Sequence, residues 1–357
     1  MTNNYISKAS KGLTTSLLFG LASCATIEAE APYVAPTEGM FPVTAAFETP
    51  IVGSAGDSAD DPAIYVHQSG SGFIAGTDKQ FGLHIYTLDG DAREFFPLGT
   101  LNNVDLRENF RVGGTPYVLL VASNDEKKNI TALLYNAETD EFLPEMTAEL
   151  PLEPMPYGIC LGQVGSDYHV GITTKEGVFY QYALVYGAEG FAVSKLREFP
   201  TGTKTEGCVF DDRTQALYIA EEMGGLYHYP ANPADGVART VIGRPGQYGL
   251  MGDLEGVTVY PEGDEGGYLI VSSQGNNSYV AFTLPDYQFK GQFEIAEGAV
   301  DRTTVTDGID VTAKSTERFP KGFFVVQDNQ NSEDAIEGQE KQNFKVVDWR
   351  EIEAGLK

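Results

Sequence analysis

Short apolar and aromatic runs alternate with glycine-rich turns and isolated polar positions along the chain, and the pattern recurs six times. Each recurrence opens on a polar residue and runs into a small or apolar strand. A turn leads to a second apolar strand ending in polar groups, and a third, aromatic-rich strand follows. The first strands read Asp61-Pro62-Ala63-Ile64, Asn103-Val104-Asp105-Leu106, Tyr157-Gly158-Ile159-Cys160, Glu206-Gly207-Cys208-Val209, Glu255-Gly256-Val257-Thr258 and Asp307-Gly308-Ile309-Asp310. Their spacings are 42, 54, 49, 49 and 52 residues. The third strands, such as Leu83-His84-Ile85-Tyr86 and Leu226-Tyr227-His228-Tyr229, keep the same order. Repeats of about 40 to 50 residues with about four strands each predict propeller blades. Five repeats have room for an outer strand, such as Arg93 to Leu98, whereas the sixth nearly ends at Trp349. The alternating stretch Pro42 to Thr49 is expected to supply the missing strand, which removes the exposed edges of an open sheet. The predicted fold is all-β: a six-bladed β-propeller over residues 41–357, its ring closed by an N-terminal strand, with almost no helix.

In this arrangement the first strand of each repeat lines the central channel, and its opening residue lies at one mouth. Those residues are Asp61, Asn103, Tyr157, Glu206, Glu255 and Asp307. The second strand returns antiparallel, so its end reaches the same mouth with Asp78, Asn124, Lys175, Glu222, Gln274 and Asp328. Asp60, Lys79 and Asp253 sit beside them. So many facing carboxylates repel one another unless something neutralises them. Oxygen donors without organised His or Cys ligands suit calcium better than zinc or copper. Any one of these acids could simply cap a strand; recurrence at equivalent positions is what favours a site.

The N-terminus carries a different signal. Lys8 and Lys11 precede a short, mostly apolar stretch from Leu13 to Leu21, and Leu21-Ala22-Ser23-Cys24 matches a lipobox. Residues 1–23 are therefore expected to be a lipoprotein signal peptide, with Cys24 carrying the lipid. An ordinary signal cut near Ala22 or Ala29 is the alternative. Ala25 rather than Asp after the cysteine favours the outer membrane, on its periplasmic or cell-surface side. Residues 24–40, rich in Ala, Glu and Pro, read as a flexible tether. No run of about twenty apolar residues exists to span a membrane. Loss of the leader removes two lysines and no acid, taking the formal charge from −27 to −29. A surface so negative repels nucleic acid. Cys160 and Cys208 remain; they sit one register apart in their repeats, which predicts two buried free thiols rather than a pair.

On these residues the chain resembles the β-propeller phytases. The matching stretches include Asp60-Asp61-Pro62-Ala63-Ile64-Tyr65, Leu101-Asn102-Asn103-Val104-Asp105-Leu106-Arg107, Tyr157-Gly158, Thr205-Glu206-Gly207 and Asp253-Leu254-Glu255-Gly256. Ser272-Ser273-Gln274-Gly275-Asn276, Thr306-Asp307-Gly308-Ile309-Asp310-Val311 and Gln342-Asn343-Phe344-Lys345 continue the match. The resemblance covers roughly residues 45 to 350. It implies several calcium ions at the channel mouth and hydrolysis of phytate, or other inositol phosphates, as the calcium complex, by a monomer. Carried over by position, Asp60, Asp61, Glu206, Glu222, Asp253, Glu255, Gln274 and Asp307 are implied metal ligands. Lys79, Tyr157 and Lys175 are implied to touch phosphate and, with Glu206, to carry catalysis, while Asn103 and Arg107 are implied to contribute to substrate binding. One departure stands out: where the family commonly places an arginine, this chain has Asp125. An ionised acid there cannot bind phosphate, so the second phosphate subsite is expected to depend on Lys127 or Lys128.

Other phosphatase chemistries fail on inspection. His67, His84, His169 and His228 lack a preceding arginine, and neither Cys160 nor Cys208 has a phosphate loop after it. Two rival readings remain open: a calcium-binding propeller lactonase or esterase, and a non-catalytic surface propeller whose calcium is only structural.

Overall fold

Phe323 to Val326 show how the chain uses both faces of a sheet. Phe323 and Val325 join one apolar cluster with Ile64, Ile74 and Tyr86, while Phe324 and Val326 join another with Tyr260, Ile270 and Phe293. Side chains alternate along a strand, so continuous apolar runs mark strands buried on both sides. The whole molecule repeats this device. In the computed structural model, six apolar clusters lie between six successive pairs of sheets. Each fully buried Leu, Ile, Val or Phe among them contributes about 1.5–3 kcal/mol relative to exposure.

The structure describes residue 1 and residues 39–54, 56–151, 154–187, 190–331 and 341–356. The expected leader, most of the tether and Cys24 lie outside the described residues. The chain divides into two units, Met1–Ala31 and Pro32–Lys357, and the sheets belong to the second. Among the described residues no helix is long and apolar enough to cross a membrane.

Two short strands, β1 (Phe41–Thr44) and β2 (Phe47–Glu48), precede the blades. Blade 1 is β3 (Ala59–Val66), β4 (Gly72–Asp78), β5 (Gly82–Tyr86) and β6 (Ala92–Phe96). Blade 2 is β7 (Leu101–Val112), β8 (Thr115–Asn124), β9 (Asn129–Asn136), β10 (Glu141–Phe142) and β11 (Met146–Glu149). Blade 3 is β12 (Ile159–Val164), β13 (Asp167–Ile172), β14 (Val178–Gly187) and β15 (Gly190–Pro200). Blade 4 is β16 (Thr205–Asp211), β17 (Ala216–Glu221), β18 (Gly225–Pro230) and β19 (Thr240–Gly243). Blade 5 is β20 (Leu254–Glu262), β21 (Gly266–Ser273), β22 (Ser278–Leu284) and β23 (Phe289–Ala296). Blade 6 is β24 (Ile309–Thr312), β25 (Phe323–Asp328) and β26 (Asn343–Asp348), followed by the helix α1 (Trp349–Gly355).

The N-terminal stretch closes the ring, but not as a single strand. β2 pairs antiparallel with β26 and completes blade 6, while β1 pairs parallel with β23 and adds a fifth strand to blade 5. Ala45, between them, is buried beside Val43 in the cluster shared by these two blades. Lys345 locks the closure: its fully buried ammonium lies 2.7–2.8 Å from carboxylate oxygens of Glu48, Asp301 and Asp328. α1 was not expected; its first residue, Trp349, stacks on Tyr260 of blade 5 with ring centroids 3.7 Å apart.

Where the inner strands converge, backbone approaches backbone. A Cβ at Gly158 would lie 2.0 Å from the Glu206 carbonyl oxygen, and one at Gly207 would lie 2.1 Å from that of Glu255. Only glycine allows neighbouring blades this close. The same seams carry carboxylate latches: Asp61 accepts from the Val104 amide, Asp105 from Leu161 and Asp310 from Ile64.

Candidate active site

Polar residues at the channel mouth are aimed by irregularities in the inner strands. Ala59 pairs with Asp78 and Pro62 with Gly76, so Asp60 and Asp61 together oppose one residue, Thr77. The same bulge holds Asn102 and Asn103 between Leu101 and Val104, Glu206 and Gly207 between Thr205 and Cys208, and Glu255 and Gly256 between Leu254 and Val257. Bulges of this kind bend a strand and redirect a side chain. Opposite them, hydroxyls take over the freed hydrogen bonds. Ser123 Oγ accepts from the Asn103 amide and donates to the Tyr157 carbonyl; Thr173 Oγ1 accepts from the Gly158 amide and donates to the Glu206 carbonyl. These serines and threonines went unnoticed in the sequence, although Thr77 and Ser123 each stand one place before a predicted polar residue.

Two groups of side chains meet at the mouth. In the first, the Lys79 ammonium lies 2.7 Å from Asp60, 3.0 Å from Asp57 and 3.6 Å from Asp307. Gln274 Nε2 donates to Asp307 at 2.6 Å. In the second, Glu206, Glu222 and Glu255 are all buried, with one oxygen from each lying within 4.8 Å of the others. The Tyr157 hydroxyl faces the same glutamates, Glu206 first among them. Two ammonium groups lie close to its ring, Lys175 at 4.6 Å and Lys204 at 5.2 Å from the ring centre. Lys204 also pairs with Glu222 at 3.1 Å. Asp57 and Lys204 had not been expected here; neither occupies a repeated position.

Electrostatics at the mouth are under tension. Burial, reinforced by Glu206, pushes the Asp60 and Glu255 carboxyls well above the usual range. Burial also lifts Glu222 to about 7 against the pull of Lys204, and Asp307 to about 6 against that of Lys79. Tyr157, buried and facing three glutamates, stays protonated far above neutral pH and therefore serves as a donor. For Lys79, burial opposes the charge, but Asp60, Asp307 and Asp57 together hold its pKa well above the ordinary value. Asp60 Oδ2, Glu255 Oε2 and Asp125 Oδ1 are buried with no hydrogen-bond donor among the described residues. Buried acceptors left this way call for a cation or water, and a set made only of oxygen donors suits calcium.

The remaining expected residues sort as follows. Asp61 lines the channel just below the mouth and spends one oxygen on the Val104 amide. Asn103 is buried and accepts from Asn102 Nδ2. Asp253 lies beside Glu222 and helps to raise its pKa. Arg107 is a correction. It stands six residues beyond the Leu101 end of β7, towards the opposite mouth, lining a cavity of about 430 Å³ with Asp212, Arg213 and Lys314. Its guanidinium is taken up by Asp105, Asp212 and the carbonyls of Leu106 and Phe210, so it cannot reach a substrate at the acidic mouth. Asp125 does face the mouth; burial lifts it to about 7 despite Lys175. Lys127 points elsewhere, donating to the Leu98 carbonyl.

A second correction concerns the cysteines. Cys160 and Cys208 form a disulfide with Cα atoms 5.7 Å apart. The two cysteines do lie on opposite faces of equivalent strands: Ile159 packs towards blade 2 and Cys160 towards blade 4, whereas Cys208 packs towards blade 3 and Val209 towards blade 5. Blades 3 and 4 are neighbours, so these opposite faces look into one seam and the register difference is what brings the two sulfurs together.

Comparisons with known proteins agree with this geometry. The sequence matches the family model described as Phytase over residues 9–357. It is similar to the 3-phytase of Bacillus subtilis (strain 168), with 36% identity over 360 residues spanning 97% of this chain and 93% of that one. Among solved structures, a luciferin-regenerating enzyme superposes with a TM-score of 0.52 and 10% identity, covering 82% of this chain and 92% of that chain. At such low identity the likeness concerns the fold alone.

Proposed function

The chain belongs to the phytase family, and on that premise we propose that it hydrolyses phytate at the acidic mouth of its propeller in a calcium-dependent reaction. The observation that carries this reading is the Glu206, Glu222 and Glu255 cluster, buried beside Tyr157 and flanked by Lys175 and Lys204. Facing carboxylates alone would repel a polyphosphate, and lysines alone would not need them. Together they suit a site where metal and phosphate meet.

Each side chain then has a task. Glu206, Glu222 and Glu255 would hold calcium, with Asp60, Asp61, Asp253, Gln274 and Asp307 available for further ions. Bound there, calcium supplies charge neutralisation at the phosphoryl oxygens and acidifies the attacking water. Lys175, exposed above the Tyr157 ring, is free to meet a phosphate from outside. Lys79 lies deeper and is already shared by three acids, so it holds the acidic wall together before it meets substrate. The Tyr157 hydroxyl keeps its proton and is available as a donor beside the glutamates. Asn103 stands behind Asn102, which itself donates to Glu206. With Asp125 at the mouth and Lys127 turned away, the second phosphate subsite receives no charge from Lys127, and substrate binding there is weaker.

The same reading places the enzyme outside the cytoplasm as a monomer, its leader ending at residue 23 and Cys24 carrying the lipid that anchors residues 24–40 and the domain to the outer membrane. The disulfide between Cys160 and Cys208 accords with an oxidising compartment.

The test is phosphate release from calcium phytate before and after exhaustive chelation, beside a panel of lactones and esters. Release abolished by chelator and restored by calcium supports the proposal. Lactone hydrolysis without phosphate release would favour the rival propeller chemistry, and no turnover at all would favour a binding platform.

A further inference from the structure

The disulfide joins β12, which starts two residues after Tyr157, to β16, which bears Glu206, and its place bears on how the site is held. We propose that the Cys160–Cys208 bond is a positioning element that fixes Glu206, beyond any contribution to overall stability. Glu206 lies in the bulge of β16, where its own sheet gives it no partner: Thr205 pairs with Glu221, the next paired residue is Cys208, and the two between are passed over. The strand resumes its register at the cysteine that is bonded across the seam. On the other side, Cys160 follows Tyr157 by three residues and lies in the uninterrupted pairing of β12. The bond therefore ties the loose end of one strand to a regular one, two residues beyond Glu206.

Other restraints on Glu206 are weaker and non-covalent. Thr173 Oγ1 donates to its carbonyl at 2.9 Å, and Asn102 Nδ2 donates to its carboxylate at 2.8 Å. The segment enclosed by the bond also contains Lys175 and Lys204, whose ammonium groups flank Tyr157. Elsewhere in the ring, side-chain latches join the inner strands of blades 1 and 2, 2 and 3, and 6 and 1 through carboxylates that accept backbone amides. Between β12 and β16 the latch is covalent. Glu206 contacts residues of blades 2 and 3 and belongs to blade 4, so a small slip along this seam changes every one of its contacts at once.

The inference rests on the catalytic reading of Glu206, and the test separates the two. Wild type, Cys160→Ser/Cys208→Ser, Cys160→Ala/Cys208→Ala, Glu206→Gln, and Glu206→Gln combined with the alanine pair are compared. Each is assayed for phosphate release from calcium phytate well below its own melting midpoint, and for calcium affinity by titration calorimetry. Loss of the bond is expected to lower kcat about tenfold or more, as sub-ångström misplacement of a reacting group does. The loss should fall on kcat rather than KM, with weaker calcium binding. In the Glu206→Gln background the same loss should change the residual rate by less than about twofold, because the group being positioned is gone. Equal factors in both backgrounds, or a lowered midpoint with unchanged kcat and calcium affinity, overturn the proposal. So does failure of both cysteine-free pairs to fold in calcium, which would assign the bond to folding itself. Near-normal activity of Glu206→Gln would refute the catalytic reading, whereas an inactive Glu206→Gln beside a fully active alanine pair would refute the positioning alone.

Discussion

Asn102 of blade 2 donates through Nδ2 to Glu206 Oε1 of blade 4 at 2.8 Å, past the whole of blade 3. The same nitrogen donates to Asn103 Oδ1 at 2.7 Å, so both amide protons are used. A neutral amide orients a carboxylate without bringing a charge of its own, which leaves Glu206 aimed and open to a cation. Both residues reach the mouth from bulges at equivalent places in their strands.

Replacing Asn102 by alanine should therefore cost activity more than stability. A hydrogen bond to a charged group contributes about 1.5–3 kcal/mol, which corresponds to a rate loss of roughly tenfold to a hundredfold if it acts on the reacting geometry. Steady-state kinetics beside a melting curve would check this. A lowered midpoint with unchanged kcat would reduce Asn102 to a channel-wall residue.

Lys175→Ala should lower phosphate release while leaving calcium-dependent stability intact. Lys175 is exposed and lies over the Tyr157 ring, whereas Lys204, also near that ring, is paired with Glu222. The expected loss is about tenfold in kcat/KM, the worth of one modest charge contact to phosphate. Turnover equal to wild type would remove Lys175 from the mechanism.

Chelation should make stability fall as pH rises between about 5 and 7.5, near the ordinary carboxyl range and the raised values. The sign follows from the raised carboxyls: Glu222 at about 7 and Asp307 at about 6, both lifted first by burial, with Asp60 and Glu255 lifted further. In that window the folded chain binds more protons than the unfolded one, so stability declines with pH. Calcium competes with those protons and should flatten the slope. Asp78, whose pKa is lowered through His84 and Ser54, acts only below the ordinary carboxyl range, where its contribution is lost on acidification. Calorimetric midpoints at several pH values, with and without chelator, would decide; a slope unaltered by calcium would mean the cluster is not a metal site.

Lys345→Met should destabilise the ring by roughly 3–5 kcal/mol, the usual cost of stripping the partner from buried charges. It leaves Glu48, Asp301 and Asp328 facing one another where the N-terminal strand meets blade 6. Denaturant unfolding in calcium measures it. A change below about 1 kcal/mol, the scale of an exposed ion pair, would show that closure does not depend on this cation.

Much of the architecture is legible in the chain because both faces of every blade are buried. Runs such as Phe323 to Val326 and Leu269 to Val271 repeat at blade spacing, and each residue can be assigned to a seam by alternation. Ring positions from Asp61 to Asp307 also follow, since strand starts recur. Alternation fails where the backbone departs from it. The bulges at Asp60, Asn102, Glu206 and Glu255 shift register by one. The Cys160–Cys208 pair was missed for another reason: opposite faces of neighbouring blades look into one seam. Arg107 was misplaced because a motif fixes neighbours along the chain, whereas six residues of strand carry a side chain about 20 Å along the channel. Asp57 and Lys204 lie outside the strands, where no period announces them. The division of the N-terminal stretch between blades 5 and 6 depends on the break near Ala45, which composition does not reveal.

The central claim is that the buried glutamates at the mouth are where phosphate ester is cleaved, and Glu206 is the member held by an amide from blade 2. Glu206→Gln keeps the shape and one good oxygen but removes the charge that would hold metal beside Tyr157. The decisive measurement is its rate of phosphate release from calcium phytate at saturating calcium, on a preparation whose melting midpoint is recorded alongside. A fall of roughly two or more orders of magnitude, the worth of one well-placed electrostatic group, with a smaller change in midpoint, is the predicted result. Retention of most of the wild-type rate would contradict the account and leave Glu206 as a residue that only shapes the strand.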